Sequence, residues 1–260
     1  MRFAIGHQTE TDSCLDNYEV SKKCGDPGML YQLRKRLGSQ KRDHSDFFVW
    51  FSTLETHPAE SEALRNQTKT YSAFVNSVSL LTESRDPYTA GHQKKVSEIA
   101  GRIAQEMGLP GDMIEGIRVA GMVHDMGKMS VPPEIVNKPA ALTPFEFSII
   151  KEHSQKAYGI LKGVEFPWPI PEIVFQHHER LDGSGYPRRL KGSEIRLEAR
   201  VLAVADVMEA ISSRRPYRSG LGIEVALKEI DKNKGVLYDT EVARACQRSL
   251  KGTSAIMADQ

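Results

Sequence analysis

Apolar positions are sparse and irregular over residues 1–58 and periodic beyond them. From Glu60 to Ser84, Leu64, Tyr71, Phe74, Val75, Val78 and Leu81 recur at threes and fours, the spacing of one helical face. Two roles fit that run, a helix packed on the domain that follows or a dimerising signalling helix, and it is too short to decide between them. After Asp86-Pro87, a helix-start signal, His92, Val96, Ile99, Ile103 and Met107 share one face, and Gly108-Leu109-Pro110 ends the helix. Ile114, Ile117, Gly121 and His124 line the next, which points His92 and His124 inward from neighbouring helices. Thr143-Pro144 with Glu146 opens a helix carrying Phe147, Ile150 and His153, then Ala157, with Ile160 and Leu161 beyond. Pro169 to Glu179 reads as a short helix with Ile173, Val174 and His177, followed by the glycine-rich loop Asp182-Gly183-Ser184-Gly185-Tyr186-Pro187. A helix from about Glu198 to Ser212 sets Val201, Leu202, Ala205 and Met208 around Asp206, and amphipathic helices follow near 222–232 and 239–250. Strand alternation is absent. The pattern predicts an all-α bundle of about seven helices behind a short irregular N-terminal region.

That region contains Gly25-Asp26-Pro27-Gly28, a basic stretch (Arg34, Lys35, Arg36, Lys41, Arg42) and one apolar run, Phe47-Phe48-Val49-Trp50-Phe51. His44 with Asp46 has no ligating neighbours and reads as a polar turn. A sensory remnant, a poorly ordered tail and a small cap all fit residues 1–58. The expected organisation is 1–58 of unknown role, a linker or signalling helix over 59–84, and the main domain over 85–260.

Composition narrows the setting. A formal net charge of +1, with 35 basic and 34 acidic residues mixed along the chain, argues against a nucleic-acid polyelectrolyte or a membrane-surface protein. Cys14, Cys24 and Cys246 are odd in number and lack metal-ligand spacing, so a disulfide framework is not expected and a reducing cytoplasm is. No apolar run reaches the roughly 18 residues that span a bilayer, and the polar start lacks a signal-peptide core. The expectation is a soluble, cytoplasmic protein.

The candidate chemistry lies in His124-Asp125, His153, the pair His177-His178, and Asp206. Five of the eight histidines (His92, His124, His153, His177 and His178) fall between residues 90 and 180, inside apolar helical patterns. Imidazoles and carboxylates buried in that way need compensation, and divalent zinc, iron, manganese or nickel supplies it. A carboxylate beside a histidine can bridge two ions. Two ions roughly 3.5–4 Å apart generate hydroxide at neutral pH and clamp a phosphate oxygen, so phosphate-ester hydrolysis is the natural chemistry.

In order along the chain stand DPYTAGH (86–92), HDMGKMSVPPEIVNKPAALT (124–143), KEH (151–153), HHERLDGSGYP (177–187) and VADVMEAISSRRPYR (204–218). With these motifs, residues 85–218 resemble an HD-GYP domain, the phosphodiesterase branch of the HD superfamily of metal-dependent phosphohydrolases. The resemblance implies that His92, His124, Asp125, His153, His177, His178 and Asp206 ligate metal, with Asp125 as the bridge. It implies that Lys128 reaches the scissile phosphate and steadies charge developing on its oxygens. Arg215 and Arg218 resemble a second basic group for substrate phosphate, against the plainer reading of an exposed charged loop. Gly185-Tyr186-Pro187 resembles the segment shaping the substrate groove, and Glu179 is expected to orient an imidazole rather than ligate.

The implied cofactors are two divalent ions, iron or manganese first, nickel or zinc next. The implied substrate is cyclic di-GMP, opened to pGpG and in some members carried on to GMP. Tyr88 stands where some members carry an acidic ligand for a third metal, which favours a two-metal site with His178 ligating weakly or just outside. Arg196 replaces a frequent Pro, and Ser213-Arg214 a common acidic spelling; neither implies lost activity. Two other readings stand beside this one. The first is an HD hydrolase acting on another nucleotide. The second is a catalytically weak module that binds cyclic di-GMP or docks a diguanylate cyclase (GGDEF) partner. A homodimer through the 60–84 helix is a further expectation; binding to DNA or membrane is not.

Overall fold

The computed structural model describes residues 73–85, 91–213 and 220–250. All belong to one unit of the chain, Arg65–Gln260. The expectations for 1–58 and for the start of the 59–84 helix, together with Tyr88, Arg215 and Arg218, therefore lie outside the described residues.

The architecture is all-α, with no strand among the described residues beyond an isolated bridge between Lys234 and Tyr238. Helix α1 covers 73–85. Then come α2 (His92–Glu106), α3 (Gly111–Val123), a 3-10 turn (Met126–Ser130), α4 (Pro133–Val136), α5 (Pro144–Lys151), α6 (His153–Leu161) and α7 (Ile170–Gln176). A second 3-10 turn (Gly192–Glu194) precedes α8 (Leu197–Ser212), α9 (Ile223–Lys232) and α10 (Thr240–Leu250). More segments appear than the seven or so predicted. The 143–161 run divides at Glu152 into α5 and α6, and the one-turn α4 follows Pro132-Pro133, where proline suits the first helical position.

Helix α8 is the axis of the bundle, packing against α2, α3, α7, α9 and α10. Its sequence explains this: Val201 to Ala205 are buried in succession, so it is apolar nearly all round, as a central helix must be. Full burial of side chains such as Leu202 and Met208 contributes about 1.5–3 kcal/mol each. Glycines bring α2 and α3 together. A Cβ on Gly121 would stand 2.7 Å from the Ser97 Cα, so the two backbones approach as only glycine allows.

Helix α5 opens with the predicted capping box: Thr143 accepts from the Glu146 N–H (3.2 Å) and Glu146 accepts from the Thr143 N–H (2.7 Å). Phe147 and Ile160, counted on an apolar face from spacing, are 44% and 54% exposed. On α1 the buried face is Val75, Ser79 and Thr82, while Phe74 and Leu81 are exposed. No helix among the described residues is long and apolar enough to cross a membrane.

Candidate metal centre

The site forms where helices end. His124 caps the C-terminus of α3, His153 begins α6 and His177 caps the C-terminus of α7. Each ring turns back on its own chain. Nδ1 of His124 donates to the Gly121 carbonyl (2.8 Å), that of His153 to Ile150 (2.7 Å) and that of His177 to Val174 (2.5 Å). The i−3 repeat is one device used three times. A carbonyl can only accept, so each neutral ring carries its proton on Nδ1 and presents a lone pair at Nε2.

These lone pairs converge. Nε2 of His153 and Nε2 of His177 stand 3.4 Å apart. With both Nδ1 atoms already donating, that approach is not a hydrogen bond between neutral rings but two lone pairs facing each other. Burial, then the neighbouring imidazoles of His124 and His153, push His177 down to about 3, so no shared proton relieves the approach at neutral pH. Nε2 of His124 is buried without any hydrogen-bond partner, a cost of about 1–3 kcal/mol unless something fills the position. A cation does.

Two carboxylates complete the cluster. Asp125 directs Oδ1 at His153 Nε2 (3.5 Å), and Oδ2 at His124 Nε2 (3.5 Å) and His92 Nε2 (3.7 Å). Asp206, from the middle of α8, sets Oδ1 3.4 Å from His92 Nε2 and 3.8 Å from His124 Nε2. Such separations are long for hydrogen bonds. They lie at or a few tenths of an ångström above the roughly 3–3.5 Å between ligand atoms that each stand about 2.0–2.2 Å from one ion. Two donor groups result: Asp125 with His153, His177 and His178, and Asp125 with His92 and His124. The donor set fits a divalent metal-binding site.

The remaining expected residues divide. His178 has no backbone clamp of the kind its neighbours use; its ring packs 3.9 Å from that of His177 and 4.7 Å from that of Tyr186. Lys128, on the 3-10 turn, donates to Asp125 Oδ2 at 2.6 Å from the partly exposed side. Burial disfavours charge on Asp125, yet the Lys128 ammonium and the surrounding imidazoles hold its carboxyl well below the usual range. Gly185 is packed so that a Cβ would stand 2.5 Å from the backbone of His178, Glu179 and Arg180, which lays Tyr186 over His178. Burial, then the charges of Asp125 and Asp206, push the Tyr186 phenol up. Pro187 follows a cis peptide bond.

Glu179 departs from expectation. Its carboxylate accepts from the backbone N–H of Arg188 (2.7 Å) and of Leu190 (3.0 Å), so it ties down the 186–190 segment and holds no imidazole. The carboxylate that orients an imidazole is Glu209, which spacing did not single out and which bonds His92 Nδ1. The signal was present: Glu209 lies one turn beyond Asp206, on the same face of α8. Burial opposes charge on His92, but Asp206, Glu209 and Asp125 outweigh it and raise its pKa to about 9; the same carboxylates favour any cation at Nε2. Glu209→Gln is expected to weaken metal binding by roughly 10–100-fold with the helical content unchanged, measured by chelator competition. Arg196 also has a use. Its N–H donates to Gln176 Oε1 (2.8 Å), a bond that proline at this position lacks.

Comparison with known proteins places this geometry. The family model of the HD domain matches residues 76–242, and the chain belongs to that family. Among curated relatives, a cyclic di-GMP phosphodiesterase of Thermotoga maritima is 42% identical over 65% of this chain and 46% of its own length. The cyclic di-GMP phosphodiesterase response regulator RpfG of Xanthomonas campestris is 38% identical over 64% of this chain and 44% of its own. A 3'3'-cGAMP-specific phosphodiesterase of Vibrio cholerae is 35% identical over 68% and 43%. The chain thus spans under half the length of these relatives. The HD domain of Listeria monocytogenes PgpH, solved with cyclic-di-AMP, superposes with a TM-score of 0.52 at 20% identity, over 71% of this chain and 98% of that one. That likeness shows the fold alone.

Proposed function

We propose that this chain is a metal-dependent phosphodiesterase that hydrolyses cyclic di-GMP to pGpG. The observation that carries the reading is Asp125, with one oxygen toward His153 and the other toward His92 and His124, at the junction of two buried donor groups. In this reading, His92, His124 and Asp206 hold one divalent ion, His153, His177 and His178 hold a second, and Asp125 serves both. Iron or manganese suits the mixed nitrogen and oxygen donors. Such a pair supplies hydroxide at neutral pH and polarises a phosphoryl oxygen.

The chain's own groups do the rest. Lys128 stands at the partly exposed edge of Asp125, where it stabilises negative charge growing on phosphoryl oxygens. Tyr186 and Gly185 wall the groove beside His178, with Pro187 next in the loop, and Arg215 and Arg218 supply further positive charge toward substrate phosphate. The leaving 3′ oxygen takes its proton from water or from an acid that the described residues do not identify. The names of the curated relatives support the substrate class. The 3'3'-cGAMP-specific relative, at 35% identity, makes that dinucleotide the second substrate to test. The reading extends to a cytoplasmic setting, to a diguanylate cyclase as partner, and to a homodimer through the 60–84 segment, whose described part, α1, exposes Phe74 and Leu81.

A panel of cyclic di-GMP, 3′3′-cGAMP and cyclic di-AMP, offered to anaerobically prepared, manganese- or iron-loaded protein, tests the proposal. The expected result is conversion of cyclic di-GMP to pGpG with the highest kcat/KM of the three. A loaded protein that leaves cyclic di-GMP intact overturns the reading.

A further inference from the structure

One cation beside the centre is held by aromatic rings rather than by a counterion among the described residues. Lys151, two residues before His153 at the end of α5, places its ammonium 4.7 Å from the Phe147 ring centre and 5.7 Å from that of Tyr186. Among the described residues no acceptor engages that ammonium. Other lysines nearby differ: Lys128 is bonded to Asp125, and Lys138 to both oxygens of Glu146. Ring faces attract a cation by about 0.5–1 kcal/mol at partly exposed sites and accept no strong hydrogen bond. The N–H donors of Lys151 therefore remain available to an anion.

The position gives that availability a meaning. The His178 ring packs 5.0 Å from that of His153 and 4.7 Å from that of Tyr186, and the Lys151 ammonium lies over the rings of both Tyr186 and Phe147. Ring contacts thus lead from the histidine cluster to Tyr186, and the Lys151 ammonium continues the path to the 44%-exposed Phe147. A diester with a single phosphate needs nothing on this path. A cyclic dinucleotide carries a second phosphodiester across its ring, flanked by two flat bases.

We propose that Lys151, set between Phe147 and Tyr186, forms the subsite for the second, uncleaved phosphodiester of a cyclic dinucleotide, and so favours such substrates over simple diesters. The inference rests on the phosphodiesterase reading above. Lys151 takes no part in bond cleavage and acts through binding alone.

The test compares kcat and KM of wild type, Lys151→Met and Lys151→Arg on cyclic di-GMP and on bis(p-nitrophenyl) phosphate, which has one phosphate. Lys151→Met is expected to raise KM for cyclic di-GMP on the order of 10- to 100-fold, as loss of one charged hydrogen bond does. Its kcat, its metal content and its kinetics on the simple diester should stay close to wild type, and Lys151→Arg should recover most of the lost KM. An equal loss on both substrates, or an unchanged KM for cyclic di-GMP, overturns the inference. A wild type active on the simple diester but inert on cyclic di-GMP removes the substrate reading and the inference together. An active wild type with an indifferent Lys151→Met removes the inference alone.

Discussion

Asp125→Asn is expected to lower kcat on cyclic di-GMP by roughly a thousandfold or more and to strip bound metal from the protein. The substitution keeps the shape of the side chain and changes two things. It removes the negative charge that faces three imidazole nitrogens at 3.5–3.7 Å, and it replaces one oxygen with an N–H2 donor. An amide carries no net charge to bridge two cations. It also leaves the Lys128 ammonium, now 2.6 Å from Oδ2, beside the centre without that counterion. Steady-state kinetics with elemental analysis on the same preparation checks both effects. Unchanged turnover, or turnover lost with metal fully retained, would contradict the bridging role.

Gly127→Ala is expected to destabilise the domain more than a typical surface change, by about 3 kcal/mol or more. Gly127 lies in the 3-10 turn between Asp125 and Lys128, against the start of α6. A Cβ there would overlap the His153 carbonyl oxygen and stand 2.8 Å from the Ala157 backbone nitrogen. The obstacle is helix backbone, which does not swing aside as a side chain would. The turn and α6 must separate, and that motion also carries His153 away from Asp125, so metal affinity falls along with stability. A Tm drop of roughly 6–12 °C is expected from the size of the domain. Gly159→Ala is the control: it lies on the exposed side of α6 with nothing within 4 Å of the added methyl, and it should be neutral or slightly stabilising. Equal Tm values for the two variants would contradict the close approach.

The parts of this fold legible in the sequence were those with long periodic faces. Helix α8 falls within a residue of its predicted limits, and α2 ends just before the predicted Gly108-Leu109-Pro110 stop, though it begins at His92 rather than directly after Asp86-Pro87. Short elements were not legible. The 3-10 turn Met126–Ser130 is too brief to show a period, yet it carries Lys128 and fixes Asp125 against α6. Spacing also overstates burial: Phe147 and Ile160 repeat at helical intervals but are exposed, and for Phe147 the reason is that α5 packs lightly, chiefly against α4 and α6.

At the site, residue types announced the histidines and acids, while their partners stayed hidden. That three histidines share one clamp to the i−3 carbonyl follows from where their helices end, which periodicity does not fix. Glu179 drew attention because it adjoins the histidine pair, but its carboxylate faces the backbone N–H groups of a loop nine to eleven residues on. Glu209 serves His92 from 117 residues away, a pairing only the packing of α2 on α8 creates.

The number of ions that the buried imidazoles and acids hold decides the mechanism. Elemental analysis of anaerobically purified protein, with turnover of cyclic di-GMP measured on the same sample, addresses it most directly. Two divalent ions per chain are expected in the active wild type and one or none in Asp125→Asn. Full activity with a single ion per chain, or with none, would contradict that expectation.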